Sequence, residues 1–250
     1  MSERKTLFVV SDIHGHYTQL KEALDRAGFD ENRPDHIFVC CGDLFDRGHE
    51  NHKVYDYVRS LKHKVLILGN HDDRLWEILN TRRMNIYDIR NGTDITLEEF
   101  FGNGTVSEMG ELRAYDFEPV GSELCDFFDN MSDYFETTHF IFVHGWLPTV
   151  ERERPYRLLP NWRQATYRDW HRARFTEWTS MHGVNDTFPE KTVVCGHRPT
   201  RLAYTFDPAR TLADADIYHG EGMIAIDAGV VHSGRINVLV IEDEMIDPAN

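Results

Sequence analysis

Apolar residues in this chain come in two rhythms. Short unbroken blocks alternate with stretches in which apolar positions recur every three or four residues. Residues 6–10 (Thr-Leu-Phe-Val-Val) and 37–41 (Ile-Phe-Val-Cys-Cys) are blocks of the first kind, and each predicts a short buried strand. Between them, Leu20, Ala23, Leu24 and Ala27 share one helical face over residues 17–27, and Gly28 follows as a C-terminal cap. A second helix is predicted near 52–61 and a third strand at 65–68. A further helix then runs through Leu75, Trp76 and Leu79. Residues 81–137 break the rhythm with polar turns and amphipathic pieces, and read as a helical insertion within one domain spanning 1–250. Strand blocks return at 140–143, 192–195, 223–226 and 236–241. Gly234 suggests a hairpin before the last of them, and the acidic residues 242–250 read as a fraying end. Strand and helix in alternation predict an α/β fold with a mainly parallel sheet covered by helices.

The polar residues then change the picture, because they gather where the strand blocks stop. The first block ends in Ser11-Asp-Ile-His14-Gly15 and the second in Gly42-Asp-Leu-Phe-Asp-Arg-Gly48. The third ends in Gly69-Asn-His-Asp72, and later blocks end in His144-Gly145, Gly196-His197-Arg198 and Asp227-Ala-Gly229. Ligands of open α/β sheets bind just outside the carboxyl ends of the strands. One such histidine is an ordinary core or turn residue. Five strand ends that deliver Asp12 with His14, Asp43, Asn70, His144 and His197 are most simply explained by one shared metal site.

Carboxylate, imidazole and amide without thiolate suit a pair of divalent first-row ions rather than a structural zinc site. Asp43 is the natural bridging carboxylate, and the ions would supply a bridging hydroxide for in-line attack on phosphorus. Two dications outweigh the charges of Asp12, Asp43 and a hydroxide, so the site still attracts an anion. His71, beside Asn70, is placed to protonate a leaving group. Asp46 could fix its tautomer, and Arg47 could clamp phosphate oxygens in a bidentate fork.

Composition narrows the partners. The chain has 250 residues, 28% charged, with a formal net charge of −15. That disfavours a long nucleic acid or a membrane surface. Cys40, Cys41, Cys125 and Cys195 lack metal or disulfide spacing. With no signal-like apolar segment, they point to reduced thiols and a cytoplasmic location. Residues 151–175 hold seven arginines against three acids, with Trp162, Trp170 and Trp178 in or beside them. Either the stretch is a solvated helix with tryptophans packed beneath, or it is a basic, aromatic wall facing an anionic substrate.

At the strand-end motifs the sequence resembles the calcineurin-like metallophosphoesterases, and within them the branch that includes serine/threonine phosphatases and symmetrical bis(5'-nucleosyl)-tetraphosphatases. The matching blocks occur in family order over residues 8–198, and 224–241 resemble the family's closing strands. The resemblance implies a four-layer sandwich of two β-sheets flanked by helices. It implies Asp12, His14 and Asp43 on one ion and Asp43, Asn70, His144 and His197 on the other. His71 would be the general acid, Asp46 its partner and Arg47 a phosphate clamp. The ions would be manganese first, with iron or zinc as alternatives. A second phosphate-binding arginine is usual between the last two metal histidines. Arg163, Arg168 and Arg174 are candidates there, and Arg198 is a fourth. The expected activity is phosphomonoester hydrolysis, with a phosphoprotein as substrate. The alternatives are a nucleotide polyphosphate such as diadenosine tetraphosphate, or a metal-binding scaffold without turnover.

Overall fold

In the computed structural model, residues 4–106, 120–150, 156–181 and 189–245 are described. The strand blocks fall into two mixed sheets rather than one. The first has β3 (Lys64–Leu66), β2 (His36–Cys40), β1 (Arg4–Val10) and β9 (Leu239–Glu244) in that order. Its first three strands are parallel, with Leu7 beside Ile37 and Val39 beside Val65, and β9 runs antiparallel to β1. The second orders β4 (Phe135–Glu136), β5 (Phe140–Phe142), β6 (Thr192–Cys195), β8 (Met223–Ala225) and β7 (Tyr218–Gly220). There β5, β6 and β8 are parallel and the two edge strands antiparallel.

The apolar blocks are continuous because most of their strands are covered on both faces, and the period of two sorts each block between two cores. Leu7 and Val9 of β1, Val39 of β2, Phe142 of β5, Val194 of β6 and Ile241 of β9 meet between the sheets. Phe8, Val10, Phe38 and Cys40 face outward. They meet α1 (Tyr17–Ala27), α2 (Asn51–Ser60), α3 (Asn70–Thr81), α5 (Thr93–Phe101) and α6 (Val120–Asp129). Val193 and Cys195 face the opposite outer layer, which includes α7 (Tyr167–Arg174) and buries Trp146, Trp162, Trp170 and Trp178. The helices over one sheet and α7 over the other complete the sandwich implied by the family resemblance.

Helix α1 spans the expected residues, and Gly28 caps it at φ 81°. Two expectations need correction. The final strand does not form a hairpin with its predecessor: β8 lies in the second sheet and β9 in the first. Residues 242–244 do not fray. They pair with β1, and buried Asp243 accepts both the His139 backbone N–H (2.9 Å) and its Nδ1 (2.7 Å). The short strand β7 carries no apolar block and was not expected. The insertion contributes α5 and α6, together with α4 (Ile86–Arg90). Within 81–137, residues 107–119 lie outside the described ones, as do Arg152 and Arg154 of the arginine-rich stretch. Among the described residues, no helix is long and apolar enough to cross a membrane.

Candidate active site

The loops leaving β1, β2 and β3 of one sheet meet those leaving β5 and β6 of the other. Hydrogen bonds join the sheets there, among them His144 Nδ1 to the Cys41 carbonyl (2.8 Å) and the His197 N–H to Asp12 Oδ2 (2.8 Å). The crowding is extreme. A Cβ on Gly69 would lie 2.2 Å from Asp43 Oδ1, and one on Gly196 would lie 2.3 Å from Asp12 Oδ2. Only glycine fits at these two strand ends. The turns are also strained. Asp12, His14, Asp43, Asp46, Arg47 and His197 all adopt left-handed backbone, with φ between 47° and 74°. Arg82 is the other non-glycine residue of this kind among the described ones. Each such residue costs roughly 1 kcal/mol or more, so the surrounding structure must hold the turns in place.

Asp43 lies at the centre. Its carboxylate belongs to two groups of close donor atoms, one with His14 and His71 and one with His144 and His197. Oδ2 is 3.7 Å from His14 Nε2 and 3.4 Å from His144 Nε2, and Oδ1 accepts the His71 N–H at 2.9 Å. Asp12 Oδ1 is 3.9 Å from His14 Nε2. His14 donates Nδ1–H to the Phe45 carbonyl (2.9 Å), leaving its Nε2 lone pair buried with no hydrogen-bond partner. His144 Nε2 is 2.8 Å from Asn70 Oδ1. An orphaned imidazole nitrogen facing two carboxylates, with a second imidazole nitrogen and an amide oxygen beside them, is a donor set that a cation would satisfy. The donor set therefore fits the expected divalent ions.

The charges agree. Burial would raise Asp43, but the His144 and His71 imidazoles hold it well below the usual carboxylate range. Burial would lower His144, yet the Asp43 carboxylate raises it to about 9. Burial lowers His14 well below its usual value, and lowers His197 to about 3. Burial raises Asp12.

His71 shares the first group, but both of its ring nitrogens are engaged. Nδ1 meets Asp46 Oδ2 at 2.8 Å, and Nε2 accepts from Arg47 Nη2 at 3.0 Å. This geometry is the neutral ring with its proton on Nδ1. Burial opposes protonation, but Asp43 and the Asp46 hydrogen bond raise the ring above its usual value. The buried Asp46 also accepts Thr93 Oγ1 on Oδ2 and Thr96 Oγ1 on Oδ1, each at 2.8 Å. Both threonines come from α5 of the insertion, whose chemistry is not legible in the sequence. Asp72, fully buried, accepts the N–H groups of Asp43 (2.8 Å), Leu44 (3.0 Å) and Gly69 (3.1 Å), tying two ligand loops together.

The four candidate arginines divide. Arg163 is taken up elsewhere: it pairs through Nε and Nη2 with Glu136 and lies over the Trp162 ring. Arg174 is buried, with Nη1 on Asp73 (2.8 Å) and Nη2 on Asp133. These two guanidinia serve the fold, because their acids already occupy them. Arg168 is on α7, where its charge bears on Asp169. Arg198 lines a cavity with His14, Arg47 and His197. Trp162, Trp170 and Trp178 pack in the core, so they are not an aromatic wall for substrate. Arg201 lines the same cavity as Arg198. It was missed because it follows no motif.

The sequence profile of the calcineurin-like phosphoesterases matches residues 5–225, and the chain belongs to that family. Enzymes of that family are metal-dependent hydrolases that use a dinuclear centre. Over 69 residues it is 39% identical to the symmetrical bis(5'-nucleosyl)-tetraphosphatase of Buchnera aphidicola subsp. Acyrthosiphon pisum (strain 5A), a match covering 27% of this chain and 24% of that one. The matched segment thus spans about a quarter of that relative's length. Two solved structures share the fold. A protein provisionally called a diadenosine tetraphosphatase superposes with a TM-score of 0.55 at 15% identity, covering 97% of this chain and 95% of that one. A protein serine/threonine phosphatase from Saccharomyces cerevisiae gives 0.52 at 13%, covering 97% and 81%.

Proposed function

We propose that this protein hydrolyses phosphoesters at a dinuclear metal centre, with a phosphate monoester as its minimal substrate. The carrying observation is that Asp43 stands between His14 (3.7 Å) and His144 (3.4 Å), with the Asp46–His71 pair beside it. Asp12, His14 and Asp43 would hold one ion, and Asp43, Asn70, His144 and His197 the other. When bound, the ions lower the pKa of water and offset charge on the phosphoryl group.

The chain's own residues supply the rest. Asp46 fixes His71 with Nδ1 protonated, so Nε2 faces the reacting group. Arg47 now donates to that nitrogen. A phosphoryl oxygen competes for the guanidinium, and its departure frees Nε2 to carry a proton to the leaving oxygen. The same contact would orient the ester for in-line displacement.

A second reading, hydrolysis of dinucleoside polyphosphates, is favoured by the names of the relatives. The test is phosphate release from p-nitrophenyl phosphate and phenyl phosphate by manganese-loaded protein, with metal content measured. Asp43→Asn should lose both metal and turnover. His71→Asn should keep the metal and lose rate, more so on the phenyl ester. Full activity in Asp43→Asn would refute the reading.

A further inference from the structure

Beside the metal-ligand cluster lies a cavity of about 390 Å³, lined by His14, His197, Arg47, Arg198, Arg201 and Asp227 among others. That volume falls within the range of small-molecule sites. Three guanidinia against one carboxylate is an unusual balance for a chain of net charge −15. Arg47 donates to His71 and, in the reading above, turns to the scissile phosphoryl group. Arg198 is partly neutralised by Glu177, 3.2 Å from its Nε. Among the described residues, the Nε atoms of both Arg198 and Arg201 are buried with no hydrogen-bond partner, and Arg201 has no carboxylate paired with it either.

The backbone that carries these arginines is held firmly. Trp178 Nε1 donates to the Arg198 carbonyl (2.8 Å), and the Thr200 N–H donates to the Asp227 carbonyl (2.8 Å). Arg201 lies in the two-turn 3-10 helix Thr200–Thr205, pinned in this way to the loop after β8. A fixed cation lacking an acceptor beside a phosphoryl site is a preorganised place for a second anion.

We propose that Arg201, with Arg198, forms a subsite for a second phosphoryl group, so that the substrate is an oligophosphate whose scissile phosphorus is joined to its neighbour by an anhydride bond. This rests on the phosphoesterase reading. The cavity wall includes His14 and His197 themselves, so a second anion held there shares one cavity with the scissile phosphoryl group. A phosphoanhydride supplies two anions that close together. An acidic side chain flanking a phosphoserine is many bonds away. In the reaction, water oxygen bonds to phosphorus and the P–O bond to the neighbouring phosphate breaks. The electron pair stays on that bridging oxygen, and the proton lost by water goes to solvent or, through His71, to the leaving oxygen.

The test compares diadenosine tetraphosphate with p-nitrophenyl phosphate, using manganese-loaded protein and the variants R201Q and R201K. It is paired with calorimetric titration of a methylene-bridged diadenosine tetraphosphate analogue. In R201Q the ratio of kcat/KM values, tetraphosphate over aryl ester, should fall about ten- to hundredfold, the scale of one charge-assisted hydrogen bond. Analogue binding should weaken in parallel, and R201K should recover part of both. An unchanged ratio would overturn the subsite. So would a wild-type protein that cleaves the aryl ester but neither cleaves the tetraphosphate nor binds its analogue. If the wild type cleaves no ester at all, the phosphoesterase reading fails, while the analogue titration still tests Arg201.

Discussion

Thr96→Val removes one hydroxyl and keeps the shape of the side chain. Thr96 Oγ1 is the donor to Asp46 Oδ1 at 2.8 Å, in a site where Asp46 is 1% exposed. A hydrogen bond to a charged group contributes about 1.5–3 kcal/mol, and an acceptor left buried without it loses that much. The variant should be about 2 kcal/mol less stable, which for a chain of this size lowers Tm by roughly 4–8 °C. The effect on rate is more diagnostic. Asp46 would then hold His71 with one oxygen bonded to Thr93 and the other unsatisfied, and the imidazole would lose its fixed direction. General acid catalysis contributes roughly a hundred- to ten-thousandfold, so part of it should be lost: about tenfold in kcat for phenyl phosphate. p-Nitrophenol leaves without much help, so its ester should lose little. Thr96→Ser keeps the hydroxyl and should behave as wild type. Stopped assays across aryl phosphates of graded leaving-group pKa, together with thermal melts, decide it. Equal losses on good and poor leaving groups would show that Thr96 does not act through His71.

Other expectations concern charge and packing. His144, raised to about 9 by Asp43, carries a proton near pH 7 before metal binds. Loading with manganese should therefore release protons, and affinity should climb with pH up to about 9. Titrations in buffers of different ionisation enthalpy would read this, and identical heats in all of them would contradict it. Asp72→Asn exchanges one of two acceptor oxygens for a donor amide that faces backbone N–H groups. It should cost about 2–4 kcal/mol, visible as a lower urea midpoint, and should weaken metal retention; a variant with wild-type values would show that the two loops do not depend on it. Arg174→Met takes the guanidinium from buried Asp73, which keeps the Tyr167 hydroxyl (2.9 Å) and His171 Nδ1 (2.7 Å), and should destabilise by about 3 kcal/mol, the low end for a broken buried pair. The KM for p-nitrophenyl phosphate should hardly move, and a large rise in KM at unchanged stability would return Arg174 to the substrate site.

Much of the fold was legible because the strand blocks are continuous. A strand with both faces covered needs no alternation, so residues 6–10, 37–41 and 192–195 stand out, and the polar residues after them mark the strand ends. The second sheet was less legible. Periodicity reports that Val194 and Val9 are buried, but not that they face each other between two sheets. The expected hairpin before β9 failed for the same reason: a glycine marks a turn, and the sheet to which the chain returns is decided by packing. Strand β7 is three residues with an exposed His219, too short and too polar to show a pattern.

The candidate site divides along the same physical line. Side chains that converge from strand ends could be read one by one, because each follows a buried block and a break. What holds them could not. Thr93 and Thr96 reach Asp46 across nearly fifty residues of chain, and their helix looks like any amphipathic piece. Arg163 and Arg174 look like phosphate ligands in a list of arginines, and only the positions of Glu136, Asp73 and Asp133 show that their charges are spent in the fold. Backbone strain is equally silent in sequence. Six residues held in left-handed conformation oppose folding by something on the order of 6–12 kcal/mol together. The buried acceptors Asp72 and Asp46, the sheet-joining bonds from His144 and His197, and glycines where a Cβ would collide are what hold those turns. Because these supports come from both sheets and from the insertion, they are all in place together only in the assembled sandwich.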